Sequence, residues 1–200
     1  MALRGSVAFL SLTALFLTPF LAHGYNAIAT DSIYRTKDNS MTINLPANWV
    51  YYEDNYTTTN GAKVDLLWLG DQADQGSRMT KQGYVLRSTA SGIFGLPRSV
   101  TTRLEPVDMA NYMVHQMLRT SIAGKVISAK VVDRSGEKVY SVEWSHNATQ
   151  FSDKLEFIAL EEFIFRGDVV YWVHGEYASF RGASVRDTIV RVVQSFTANR

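Results

Sequence analysis

The 200-residue chain contains no cysteine. That excludes thiol nucleophiles, zinc-thiolate sites and disulfide staples, and it removes the residue through which bacterial lipoproteins take their lipid anchor. Charge of one sign is missing too, with 20 basic residues against 19 acidic ones and no Lys/Arg cluster or stripe. Nucleic acid is therefore not an expected partner, because its recognition needs a basic excess or a basic patch. After residue 24 a charge or a turn former breaks every apolar run within a few residues, far short of the roughly 20 residues of a membrane span. No Gly-x-Ser-x-Gly elbow and no Gly-rich phosphate loop occurs, so the commonest hydrolase and nucleotide-binding signatures are absent. No cofactor is expected.

The first 24 residues have the layout of a secretory signal. Arg4 precedes an apolar run from Val7 to Ala22, and Ala22-His23-Gly24 supplies small residues where a signal peptidase cuts. Pro19 interrupts the run, which is short for an anchor. The expected mature chain is exported, periplasmic or secreted, with 19 charges of each sign. Its 176 or so residues suit one domain that buries roughly 70% of its unfolded surface without disulfides.

Residues 25–39 are polar and read as a loose leader with at most a short strand at Ser32 to Arg35, and residues 40–200 as the globular domain. Met41, Ile43 and Leu45 alternate with Thr42 and Asn44, the period of a half-buried strand that Pro46 ends. Lys63 to Leu69 carries apolar residues on both faces, as a central strand does. A polar loop from Gly70 to Gln82 precedes a strand at Gly83 to Ser88. From Pro106 the period becomes helical. Ala110, Met113, Val114, Met117 and Leu118 form one stripe, and Asp108, Asn111, His115 and Arg119 the wet face.

Four strands follow, at Lys125 to Asp133, Lys138 to His146, Lys154 to Phe165 and Asp168 to Ala178, joined by hairpin-length turns and hence antiparallel. A closing helix from near Ser184, with a capping box to Asp187, buries Val185, Ile189, Val192, Val193 and Phe196. The fold class is α+β, a single domain whose antiparallel sheet is flanked by helices on its faces.

With Met41-Thr-Ile-Asn-Leu-Pro-Ala-Asn-Trp49, Leu104-Glu-Pro106, Tyr171-Trp-Val-His-Gly-Glu-Tyr177 and Gln194-Ser-Phe196 in this order, the chain resembles the PsbP-like or Mog-type α/β/α sandwich family. The resemblance spans nearly all of the mature chain. It implies a non-enzymatic scaffold that binds a protein or envelope component or assists assembly. It carries no catalytic residue to transfer. The stretch from Gly70 to Gln82 and the apolar loop from Gly92 to Pro97 depart from the photosynthetic members, so no photosystem role follows.

Two places could carry function. His174 and Glu176 lie two apart on a strand and so share a face with Trp172. They are either a polar sheet surface or the start of a metal or acid-base site, for which Glu161 or Glu162 on the preceding strand could approach. No third metal ligand is spaced to join them, and none is expected. A histidine or carboxylate converging from another element would instead favour a small hydrolase or metal-dependent enzyme. Ile93, Phe94 and Leu96 lie between Gly92, Gly95 and Pro97, which reads as an apolar loop. Either it is a partner-binding surface, or it folds back as a lid on the sheet or on the first helix.

His115 and His146 are expected to be exposed. Arg166-Gly167-Asp168 spells an integrin-recognition tripeptide and also satisfies a hairpin turn with glycine at positive φ. Asn55-Tyr-Thr57 and Asn147-Ala-Thr149 are glycosylation sequons, usable in a eukaryotic host. Aromatic residues make up 12% of the chain, and Trp68 and Trp144 fall at core-facing positions.

The mature protein is expected to begin at Tyr25. N-terminal sequencing of the exported form checks this, and an intact Met1-containing chain in the membrane pellet would overturn it.

Overall fold

The computed structural model describes residues 26–28, 30–71, 81–147 and 155–199. The signal segment expected at residues 1–24 lies outside them. Strands β1 (Asn26–Ala27), β2 (Ser32–Arg35), β3 (Met41–Leu45), β4 (Trp49–Thr57), β5 (Lys63–Asp71) and β6 (Lys81–Thr89) lead to helices α1 (Ala90–Phe94), α2 (Arg98–Thr101) and α3 (Pro106–Thr120). The hairpins β7 (Ile122–Arg134), β8 (Glu137–Asn147), β9 (Glu156–Arg166) and β10 (Val169–Ala178) come next, then helix α4 (Ala183–Gln194) and β11 (Thr197–Ala198).

An eight-stranded sheet in the order β1-β4-β5-β6-β10-β9-β8-β7 is antiparallel throughout. Its central strand β10 is buried along nearly its whole length on both faces, which is why Val169 to Val173 is an unbroken apolar run. The period of two sends Leu67, Leu69, Val85, Tyr171 and Val173 to one face, where they pack with Ile189, Val192 and Val193 of α4 and with the small sheet β11-β3-β2. Leu66, Trp68, Leu86, Val170 and Trp172 go to the other face, against α1 and against Met109, Ala110 and Met113 of α3. The α+β architecture expected from the sequence, one domain with helices on both faces of an antiparallel sheet, is the one observed.

Gly175 allows α4 to close on the sheet. A Cβ there would lie 2.7 Å from Val193 Cγ2 and 2.8 Å from Ile189 Cγ2, so the helix seats on β10 only where a side chain is missing.

Several local expectations change. The short strand allowed at Ser32 to Arg35 is present as β2, and its pairing with β3 and the burial of Tyr34 tie this part of the leader to the core. α4 starts at Ala183 after Gly182, with no side-chain cap, so the Ser184 box is not made. The apolar loop is instead helix α1. The Thr89 side chain accepts from the Gly92 N–H at 3.3 Å, and Gly95, at φ 65°, ends the turn in the left-handed region. Ile93 and Phe94 are buried and Leu96 packs beside them, so these three side chains form core under the sheet and not a surface offered to a partner. The hydrophobic effect decided between the two readings of this segment, since Phe94 stacks near Phe163 and Phe165 with ring centres 6.2 and 6.1 Å away.

Phe94→Ala is expected to cost about 3 to 5 kcal/mol, read as a fall in melting temperature. Replacing Ile93, Phe94 and Leu96 together with Ser should leave no cooperative thermal transition.

Candidate functional site

Four neighbouring strands, β6, β10, β9 and β8, bring one polar cluster onto the α3 side of the sheet. Register fixes its members: His174 of β10 stands opposite Glu161 of β9 on one side and Tyr84 of β6 on the other. Glu176, two residues on, stands opposite Gln82. Trp144 and His146 of β8 complete the group from the far side of β9, and Trp172 joins from β10.

The Glu161 carboxylate is 1% exposed and accepts three hydrogen bonds. Trp144 Nε1 donates to Oε1 at 3.0 Å, Trp172 Nε1 donates to Oε2 at 2.6 Å, and His174 Nδ1 donates to Oε1 at 2.8 Å. The other imidazole nitrogen of His174 lies 3.6 Å from Glu176 Oε2, an ion-pair distance. His146 Nε2 reaches the same oxygen at 3.3 Å, and Gln82 Nε2 donates to Oε1. Tyr84 stacks on His174 with ring centres 4.4 Å apart and planes 16° apart, a face that favours a cation. His146 is sandwiched between Trp144 and Phe157.

Electrostatics fix the protonation of the centre. Burial works against a charge on His174, but the Glu161 carboxylate and then Glu176 outweigh it and push its pKa up to about 10. Burial likewise opposes ionised Glu176, yet the donors His146 and His174 hold its pKa well below the usual carboxylate range. Tyr84 is raised well above 10.0 by burial and by the two carboxylates. The cluster is an imidazolium held between carboxylates.

His174 and Glu176 are therefore interior, not a polar sheet surface. Glu161 is the carboxylate that approaches them. Glu162 points to the opposite face, where Arg134 grips it at 2.6 and 2.9 Å, and burial raises its pKa while the guanidinium partly offsets this. His146, expected to be exposed, is part-buried in the cluster. The sequence reading missed it because its position at a strand end hides that Phe157 and Trp144 close over it. Its even spacing with Tyr140, Val142 and Trp144 was the available signal. So a histidine and a carboxylate do converge on the pair. Among the described residues, however, no three His, Asp or Glu side chains are grouped to hold a metal ion.

Elsewhere, Arg166 is bound through Nη2 to Glu137 at 3.1 Å, Gly167 takes φ 57°, and Asp168 pairs with Arg98 at 3.3 Å. The tripeptide forms a hairpin turn whose arginine is already engaged. His115 is exposed as expected, and Asn55 lies on an exposed stretch of β4. The sequon at Asn147 runs outside the described residues. Among the described residues no helix is long and apolar enough to cross a membrane.

The charges of this cluster make stability pH-dependent. The folded pKa of His174 is above its ordinary 6.5, so its contribution is complete below pH 6.5 and is lost as pH rises towards about 10. Glu176 is shifted the other way, so its contribution is present above pH 4.5 and fades as pH falls below it. Denaturant unfolding across pH should show a plateau between these limits, and His174→Gln should flatten the alkaline fall. Glu161→Gln is expected to cost about 3 to 5 kcal/mol, because it leaves a buried cation without its main partner.

No family model and no curated protein matches the chain. Solved structures do. The solution structure of cyanobacterial PsbP (CyanoP) from Synechocystis sp. PCC 6803 matches with TM-score 0.60 at 16% identity, over 89% of this chain and 98% of that one. A protein of unknown function from Pseudomonas aeruginosa matches at TM-score 0.48 and 9% identity, over 86% of this chain and 99% of that one. LpqN, involved in cell envelope biogenesis of Mycobacterium tuberculosis, matches at TM-score 0.48 and 6% identity, over 89% and 93%. At 16% identity the likeness to CyanoP is one of architecture, and the fold of this chain is PsbP-like.

Proposed function

We propose that this protein is an exported, non-catalytic binding or assembly module that works in the cell envelope or the extracellular space, with residues 1–24 removed as a signal and a protein or envelope component as its partner. The observation that carries the reading is the enclosure of His174 between two carboxylates of the protein itself. A general base or a metal ligand needs a ring nitrogen that a substrate proton or a metal can reach. His174 is 7% exposed, with Nδ1 bonded to Glu161 at 2.8 Å and the other ring nitrogen 3.6 Å from Glu176, so both of its nitrogens are already engaged by protein carboxylates. Its donors and those of Trp144, Trp172 and Gln82 are directed at protein carboxylates, so the cluster acts as an internal strut that fixes the register of four strands. The PsbP-like architecture supports the same reading.

The convergence of His146 and Glu161 on His174 and Glu176 is the observation that favours the other reading, a small envelope hydrolase or metal-dependent enzyme. One experiment separates them. The exported chain is photo-crosslinked in its native envelope and the purified protein is assayed against ester, phosphoester and glycoside substrates with and without zinc. A discrete protein adduct and no turnover are expected. Turnover that His174→Gln abolishes in a folded variant would overturn the binding-module reading.

A further inference from the structure

β7 ends the eight-stranded sheet, and among the described residues β8 is its only strand neighbour. At 13 residues it is the longest of the described strands, and it is exposed or half-exposed along its whole length. Such an edge presents unpaired backbone donors and acceptors, a template for another strand. Its side chains sort by face. Ala129 and Val131 are in register with Val142 and Tyr140 on the α3 side, and Val131 is 53% exposed. Lys125 and Lys130 are in register with Ser145 and Ser141 on the α4 side. Both are exposed, and neither has a carboxylate within 4.0 Å among the described residues, although Lys130 acts at longer range on Glu162.

Two features bear on which partner fits. The register shift between Val126 and Ser128 twists the edge, and in a two-fold β7–β7 pair the lysines of both copies would lie on the same face of the joined sheet. Both disfavour self-pairing through this edge. They leave room for a strand that carries negative charge on the α4 side and apolar side chains on the α3 side.

Building on the binding-module reading, we infer that β7 docks an extended segment of another protein in which acidic and apolar residues alternate. The segment adds a ninth strand, with carboxylates beside Lys125 and Lys130 and apolar side chains beside Ala129 and Val131. Main-chain hydrogen bonds supply affinity, and the alternating side chains supply selectivity.

The test uses the full mature chain and a labelled synthetic peptide of alternating glutamate and valine, as long as β7, with a lysine-valine peptide as control. Fluorescence anisotropy should show saturable binding of the glutamate peptide alone. Lys125→Glu with Lys130→Glu should weaken it about tenfold, as expected for two surface ion pairs, without changing the melting temperature, and should admit the lysine peptide. Amide exchange should slow in β7 on binding. Absence of binding, equal binding of both peptides, or slowed exchange confined to another element would overturn the inference. So would a dimer by sedimentation whose amide exchange is slowed both in β7 and in the acidic Glu53–Asp54 stretch of β4, which would place a second copy on this edge. A crosslinked envelope partner mapped to a different face would end this inference while leaving the binding-module reading intact, and catalytic turnover would end that reading itself.

Discussion

The centre of the molecule depends on one buried carboxylate. Glu161 lies in the middle of the sheet, where an ionised side chain without partners would be very costly, and the surrounding strands supply two indole N–H groups and an imidazolium within 3.0 Å. Each donor comes from a strand next to β9, so the bonds form only when β8, β9 and β10 are in the observed register. A slip of one residue would turn these side chains to the opposite face and leave the carboxylate bare. The polar cluster thus specifies which register of β8, β9 and β10 is the native one.

That constraint is compatible with a sheet covered on both faces because the two layers share the work. α4 and the small sheet close one side, where the absent side chain of Gly175 lets Ile189 and Val193 approach β10. On the other side α1 and α3 cover the aromatic surface that surrounds Trp172 and Phe163. His174, Gly175 and Glu176 are consecutive, so one tripeptide serves both layers: its even residues hold the ion network and its glycine seats the helix.

A fixed imidazolium in a closed interior and a long basic and apolar edge strand at the margin divide the molecule into a rigid centre and an available rim. The charged centre is turned inward on protein carboxylates, whereas backbone groups and lysines of β7 face solvent at the periphery.

Most of the elements were legible in the sequence. The alternation of Met41, Ile43 and Leu45, the helical stripe through Met113 and the hairpin-length turns between four strands gave the element types, because side-chain period reports local geometry directly. The sharing of a face by His174, Glu176 and Trp172 was legible for the same reason. Whether the apolar run around Phe94 lay outside or under the sheet was not, since burial depends on what surrounds a segment and not on its composition. The choice of Glu161 over Glu162, the enclosure of His146 and the charge state of His174 were decided only by tertiary structure. Each depends on strand register, which places residues distant in the chain within hydrogen-bond reach and fixes the dielectric around them.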